Sequence, residues 1–140
     1  MTCSKLLFFA SLVLLAVLAT IGCGSSNRQL QSVAIAPAAA DAKNYANGQV
    51  PLTATGTYNK PPSPVQLTSP DIVWCAGTSD GLCDGFVVSS VIVDQNGVAQ
   101  CSPTFVGTAT VLAGTPVPSM VIGDGGSKLK VFGSAQVTCP

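Results

Sequence analysis

The chain has 140 residues, and its six basic residues balance six acidic ones. It contains no histidine, and all of its acidic residues are aspartates. Serine and cysteine nucleophiles therefore lack their usual general base, which argues against hydrolase triads. The near-neutral charge without a basic patch argues against nucleic acid as a partner.

An apolar segment occupies the N-terminus. Residues 6–22 carry no charge, and Lys5 is the only charged residue before them. The segment ends at Ile21-Gly22-Cys23, and the sequence then becomes polar. An apolar stretch that ends at small residues is typical of a secretory signal. A cysteine directly after the expected cleavage site resembles the lipobox of bacterial lipoproteins, which implies lipid attachment at Cys23.

We therefore expect a signal peptide over residues 1–22, a lipidated tether over 23–29 and one folded domain over 30–140. The alternative for the apolar segment is a permanent membrane anchor, although it is shorter than the roughly 20 residues that span a bilayer. Gly24 follows the lipobox in place of the aspartate that retains some lipoproteins at the inner membrane. The resemblance thus implies a cell-envelope protein, lipid-anchored to the outer membrane, with its domain outside the cytoplasm. A flexible tether would hold that domain within about 15 Å of the membrane.

Strands are predicted throughout the domain from alternating apolar and polar residues. The predicted strands cover residues 30–37, 50–58, 71–75, 86–93, 98–101, 105–112 and 128–139. Residues 59–70 carry four prolines and predict a loop, and residues 114–127 predict a long Gly/Pro-rich connection with at most a short strand at 119–122. The dipeptide Asn96-Gly97 predicts a hairpin turn.

These elements predict an all-β fold, an immunoglobulin-like β-sandwich of about seven antiparallel strands. Trp74 shares a face with Ile72, so we expect it in the core. In the last strand, one inward phase is predicted for Leu129, Val131, Gly133, Ala135, Val137 and Cys139.

The order of several short segments resembles the bacterial immunoglobulin-like domain, group 2. They are Leu30–Pro37, Leu52-Thr53-Ala54-Thr55-Gly56-Thr57-Tyr58, Val73-Trp74, Asn96-Gly97-Val98-Ala99 and Gly107-Thr108-Ala109-Thr110. Members of that family are mostly adhesion or spacer modules of cell-surface proteins and carry no catalytic residues. The resemblance implies a non-catalytic envelope lipoprotein that binds an envelope protein or a glycan. The alternative is a structural or assembly part of an envelope complex with no ligand of its own.

Four cysteines remain in the domain: Cys75, Cys83, Cys101 and Cys139. An even number in an exported domain predicts two disulfides. A zinc site is the alternative, but no Cys-x-x-Cys spacing occurs. Cys75 lies next to Trp74 in its strand and so faces away from the core, where Cys83 is the nearest partner. In an immunoglobulin-like order, Cys101 and Cys139 end strands at the same end of opposite sheets, which predicts the second pair.

The sequence gives little indication of a metal site or of a catalytic site. Asp80 and Asp84 lie in one turn-rich loop, where carboxylates and carbonyls suit Ca²⁺, but no Asp-x-Asp-x-Asp run is present. Their simpler interpretation is as turn residues that accept backbone hydrogen bonds. No nucleophile elbow and no phosphate-binding loop followed by a helix is found. We expect neither an enzyme nor a cofactor.

Overall fold

The computed structural model describes residues 27–84, 90–122 and 126–140. Within these ranges the chain forms ten strands and two short 3-10 turns. The strands are β1 (Leu30–Ala36), β2 (Ala39–Asp41), β3 (Gln49–Pro51), β4 (Thr53–Tyr58), β5 (Val65–Leu67), β6 (Val73–Ala76), β7 (Val91–Val93), β8 (Val98–Cys101), β9 (Gly107–Ile122) and β10 (Gly126–Cys139). The 3-10 turns, Ala42–Asn44 and Ala46–Gly48, join β2 to β3. Among the described residues no helix has the length and apolarity needed to cross a membrane.

The strands form an all-β sandwich. One sheet has the order β2-β10-β9-β6, and the other strands form the sheets β1-β4-β5 and β3-β8-β7. Only Leu52 separates β3 from β4, so the two three-stranded sheets continue into each other through this segment. The main core lies between the layers and takes buried side chains from both, among them Val50, Ala99, Val111 and Val137. The predicted fold class is confirmed.

The number and direction of the strands differ from the prediction of about seven antiparallel ones. The first predicted strand, β1, ends before Pro37, because proline has no N–H to continue a ladder. It pairs with β4, whereas β2, which follows where a loop was predicted, pairs with β10 in parallel. The chain thus changes sheets at this proline, which creates a parallel pair that the alternation pattern does not reveal.

The predicted connection over residues 114–127 is wrong at both ends, because β9 continues to Ile122, through the short strand expected at 119–122, and β10 begins at Gly126. Strand β9 pairs with β10 from Gly107 to Pro116 and again at Val121 and Ile122. Proline is tolerated at position 116 because β6 pairs with β9 only as far as Gly114. Beyond that point β9 has one neighbour among the described residues, so a missing N–H interrupts no second ladder. Residues 86–89 of the predicted strand 86–93 and residues 123–125 of this connection lie outside the described residues.

The single inward phase predicted for the last strand is wrong at Leu129. The pairing of β10 with β9 shifts between Leu129 and Val131, as in a β-bulge. An extra residue on one strand moves the following side chains to the opposite face. Leu129 therefore packs with Leu112 on the outer face of the sheet, whereas Ala135, Val137 and Cys139 belong to the main core.

Candidate functional site

The two ends, or poles, of the sandwich can be told apart by the disulfide at one and the start of β1 at the other. Strands β2, β8 and β10 all end at one pole, which the Cys101–Cys139 disulfide ties across the sandwich. We call it the disulfide pole. The chain enters β1 at the opposite pole, next to the turn that follows β4. We call that one the N-terminal pole.

A cleft of about 340 Å³ opens at the disulfide pole. Its walls come from the 3-10 turns, from the end of β8 with the loop after it, and from the C-terminus. The lining residues are Ala42, Lys43, Tyr45, Asn47, Gly48, Gln100, Cys101, Ser102, Pro103, Phe105 and Pro140. Two of them, Tyr45 and Phe105, are partly buried and pack against the main core. The core therefore fixes both rings in place while they line the cleft.

Two carboxamides are placed in this cleft by the backbone. Asn47 and Gly48 both have positive φ, 56° and 67°, and asparagine and glycine are the residues that tolerate this conformation. The resulting turn holds Asn47 at the surface. Gln100 follows the fully buried Ala99 in β8, so its side chain points away from the core. In the described part of the chain, neither carboxamide makes an intramolecular hydrogen bond.

The charge at the cleft is compensated. Lys43 is the one charged side chain among the described lining residues, and its Nζ lies 2.9 Å from Oδ2 of Asp41. The backbone N–H of Lys43 also donates to Oδ1 of Asp41, at 3.1 Å. Hydrogen bonding between the side chains lowers the pKa of Asp41 and raises the pKa of Lys43. Both groups stay ionised across the neutral range, so these two side-chain charges cancel.

The N-terminal pole holds the incoming chain. Asn59 makes three hydrogen bonds to it: its N–H donates to the Gln29 carbonyl at 3.1 Å, its Oδ1 accepts from the Gln29 N–H at 2.8 Å, and its Nδ2 donates to the Asn27 carbonyl at 3.2 Å. The Arg28 guanidinium lies 3.6 Å from the centre of the Tyr58 ring and donates to the Pro62 carbonyl. Residues 27–29, which the sequence placed in the tether, thus pack on the domain.

The cysteines pair as their strand phases predict. The Cα atoms of Cys75 and Cys83 are 5.6 Å apart, and those of Cys101 and Cys139 are 5.8 Å apart, and each pair is bonded through sulfur. The first bridge lies outside the main core, over a second apolar cluster on the outer face of the sheet. That cluster contains Cys83, Leu112 and Leu129, with Cys75 and Phe132 packed against it. The sequence did not predict this cluster, because the bulge in β10 creates it.

The remaining predicted site residues do not converge on the cleft. Trp74 is 9% exposed and lies in the main core. The Asp80 carboxylate accepts a hydrogen bond from the Thr78 hydroxyl, and this bond lowers the pKa of Asp80. The backbone N–H of Asp84 donates to the Ala76 carbonyl at 2.8 Å. Among the described residues no group of three or more potential ligands from His, Cys, Asp and Glu is close enough to hold a metal. Cys23 lies outside the described ranges.

A smaller cleft of about 180 Å³ lies beside Trp74. Its polar lining includes Gln66, Gln95 and Asn96. Gln95 receives a hydrogen bond from Ser69, and Asn96 donates to Asp94, so two of these amides already have partners. The larger cleft is the stronger candidate because its amides are unpartnered among the described residues.

Sequence reasoning missed the side chains of the larger cleft. Only the turn at Asn47-Gly48 carried a local signal. Tyr45 and Phe105 are far apart in the chain and meet because β2, β8 and β10 end together. No family model matches the chain, and no curated protein shows significant similarity to it.

Proposed function

We propose that this chain is a non-catalytic lipoprotein of the bacterial cell envelope, anchored to the outer membrane through lipid on Cys23. Its single domain binds or adheres to a ligand through the cleft at the disulfide pole. The observation that carries this proposal is the position of the cleft. It lies at the pole opposite to the one where Asn59 holds residues 27–29 by hydrogen bonds.

The hydrogen bonds that hold residues 27–29 at the N-terminal pole support an outward-facing cleft. Only residues 24–26 separate Cys23 from Asn27, the first residue held by the domain. Even fully extended, that connection reaches only about 14 Å. The run from Leu30 to Asp41 then carries the chain to the opposite pole, roughly 35 Å away. A lipid at Cys23 would therefore hold the N-terminal pole at the membrane and leave the cleft free on the far side.

Two further features support an exported, non-catalytic domain. All four cysteines of the domain are paired in disulfides, which persist in oxidising compartments such as the periplasm and the cell surface. The cleft offers no acid–base pair and no activated nucleophile, since its lysine is bound to Asp41 and its cysteine is in a disulfide. Aromatic rings, amides and a hydroxyl suit binding rather than catalysis.

We also propose membership of the bacterial immunoglobulin-like group that the sequence resembles. The order β6-β9-β10 in one sheet is the one expected for strands C, F and G of an immunoglobulin-like sandwich. In the other layer β1, β3 with β4, β8 and β7 follow the order expected for strands A, B, E and D. These orders support the assignment independently of the short sequence segments.

Binding is tested by passing envelope extract over the immobilised protein, with Asn47→Gly and Gln100→Val as matched variants. Asn47→Gly keeps a residue that tolerates positive φ, and Gln100→Val keeps a good strand former, so each removes a cleft amide at little structural cost. A ligand retained by the wild type and lost from both variants is the expected result. A membrane protein retained in equal amount by all three favours the alternative, a structural part of an envelope complex. No retained component at all contradicts both.

A further inference from the structure

We propose that the cleft at the disulfide pole binds an uncharged saccharide, with Tyr45 and Phe105 packing on a sugar ring and Asn47 and Gln100 bonding its hydroxyls. This inference rests on the proposed binding function and names the chemical class of its ligand. Its three grounds are the two fixed rings, the unpartnered amides and the compensated charge of Lys43.

The two aromatic rings form a rigid apolar surface. Tyr45 and Phe105 pack against the main core on one side and line the cleft on the other. Tyrosine and phenylalanine have two side-chain torsions each, so little conformational entropy remains to be lost on binding. A pyranose ring presents C–H groups on its faces, and these groups pack well against an aromatic ring. The tyrosine hydroxyl adds a polar group beside the apolar surface.

The carboxamides match the hydroxyl groups of a sugar. A carboxamide offers both a donor and an acceptor, as each sugar hydroxyl does. Asn47 lies on the 3-10 turns and Gln100 on β8, both line the cleft, and both lack intramolecular partners in the described ranges. Ser102, at the end of β8, adds a hydroxyl to the same lining. A ligand with hydroxyls around its edge can bond to both carboxamides at once.

Charge and size narrow the ligand class further. The Lys43–Asp41 pair leaves no uncompensated side-chain charge to attract a phosphate, a carboxylate or a basic peptide. The volume of about 340 Å³ is at the lower end of the range for small-molecule sites and suits one or two sugar rings.

The test is titration of the full purified protein, kept in a sugar-free detergent, with methyl glycosides of glucose, galactose, mannose and N-acetylglucosamine. Amide NMR shifts report where each probe binds. We expect at least one glycoside to shift the signals of residues 42–48 and 100–105, with a dissociation constant of about 1–10 mM. Asn47→Gly and Gln100→Val should each weaken that binding about three- to tenfold.

The matched control is Gln66→Ala, which removes an exposed glutamine from the smaller cleft and should leave sugar binding unchanged. Equal melting temperatures of the variants exclude misfolding as the cause of any loss. Preferred binding of the anionic sugar N-acetylneuraminate at these residues would contradict the uncharged class. If no sugar binds but another envelope ligand still depends on Asn47 and Gln100, the saccharide is refuted while the proposed binding function stands. If neither binds, both are refuted.

Discussion

Trp74 shows how one residue organises the core. Its indole is 9% exposed and packs in the main cluster between the sheets. Truncation to alanine removes a large apolar contact and leaves a cavity, so Trp74→Ala should cost about 3–5 kcal/mol of unfolding free energy. Chemical denaturation measures this loss, and Trp74→Phe, which keeps most of the ring volume, should lose less. An indole emission spectrum typical of water exposure in the folded protein would contradict the placement.

Two glycines allow a matched test of backbone and contact effects. Gly97 and Gly48 have similar positive φ values, 81° and 67°. A Cβ at Gly97 would lie 2.6 Å from the Leu52 carbonyl oxygen and 2.9 Å from a ring carbon of Trp74, whereas nothing lies within 4 Å at Gly48. Gly48→Ala should cost about 1–2 kcal/mol for its backbone conformation alone. Gly97→Ala should cost at least about 1 kcal/mol more in thermal or denaturant unfolding; equal losses would show that the hairpin moves freely away from Trp74.

Asp94 links the stability of the β7–β8 hairpin to pH. Its Oδ1 accepts from the N–H of Val98 at 2.8 Å and of Asn96 at 2.9 Å, and these bonds, led by that from Val98, lower the pKa of Asp94. The folded state therefore favours the ionised carboxylate. Its stabilisation is present above the ordinary aspartate pKa of about 3.9 and is lost as the pH falls through the lowered folded value.

The predicted result is that Asp94→Asn lowers the melting temperature near neutral pH, and that the difference from the wild type shrinks as the solution becomes acidic below that ordinary pKa. Asp71→Asn is the control, because Asp71 is exposed and its side chain accepts no hydrogen bond in the described part of the chain. A difference for Asp94→Asn that stays constant with pH would refute the role of its charge.

Among the secondary-structure elements, those with a local signal were predicted best. In β4 the buried Ala54 and Gly56 alternate with more exposed threonines, as the sequence indicates. The Asn96-Gly97 turn joins β7 to β8 as expected. The extension of β9 was missed because glycine and proline are poor strand formers, and here pairing with β10 overrides that local preference. The bulge before Val131 was also invisible, because a pattern of alternation does not record a shift of register.

The two disulfides stabilise different parts of the fold. Cys101–Cys139 closes 38 residues and ties β8 to β10 across the core, whereas Cys75–Cys83 closes 8 residues on the outer face. The chain-entropy model gives about 3.9 kcal/mol for the long loop and about 2.5 kcal/mol for the short one. Replacing Cys101 and Cys139 together by alanine should therefore lower the melting temperature more than replacing Cys75 and Cys83.

Calorimetry of both double variants measures the ranking, and non-reducing peptide mapping of the wild type identifies the pairs. A larger drop in melting temperature for the Cys75/Cys83 variant would contradict this ranking. It would show that the outer cluster of Leu112, Leu129 and Phe132 depends on the Cys75–Cys83 bridge more than the main core depends on Cys101–Cys139. Linked peptides that join Cys75 to Cys101 or Cys139 would contradict the pairing.

At the scale of the whole molecule, the fold class and the cysteine pairing could be predicted, but the cleft could not. The face of a strand that a residue occupies follows from its neighbours in the chain, so it can be predicted from the sequence. The cleft requires the ends of β2, β8 and β10 to meet, which depends on the change of sheet at Pro37. The contact between the Arg28 guanidinium and the Tyr58 ring likewise joins residues that are far apart in the chain, and no local sequence pattern predicts it.

The polarity of the molecule is the central claim: lipid at one pole and a binding cleft at the other. It depends on Cys23 being the mature N-terminus. Mass spectrometry of the protein extracted from membranes tests this most directly, with Cys23→Ser as the matched variant. The account predicts an N-terminal peptide that begins at Cys23 and carries a lipid mass, and a Cys23→Ser protein that is uncleaved or released from the membrane. A mature N-terminus elsewhere, an unmodified Cys23, or a Cys23→Ser protein still cleaved after Gly22 and still held in the membrane would contradict it.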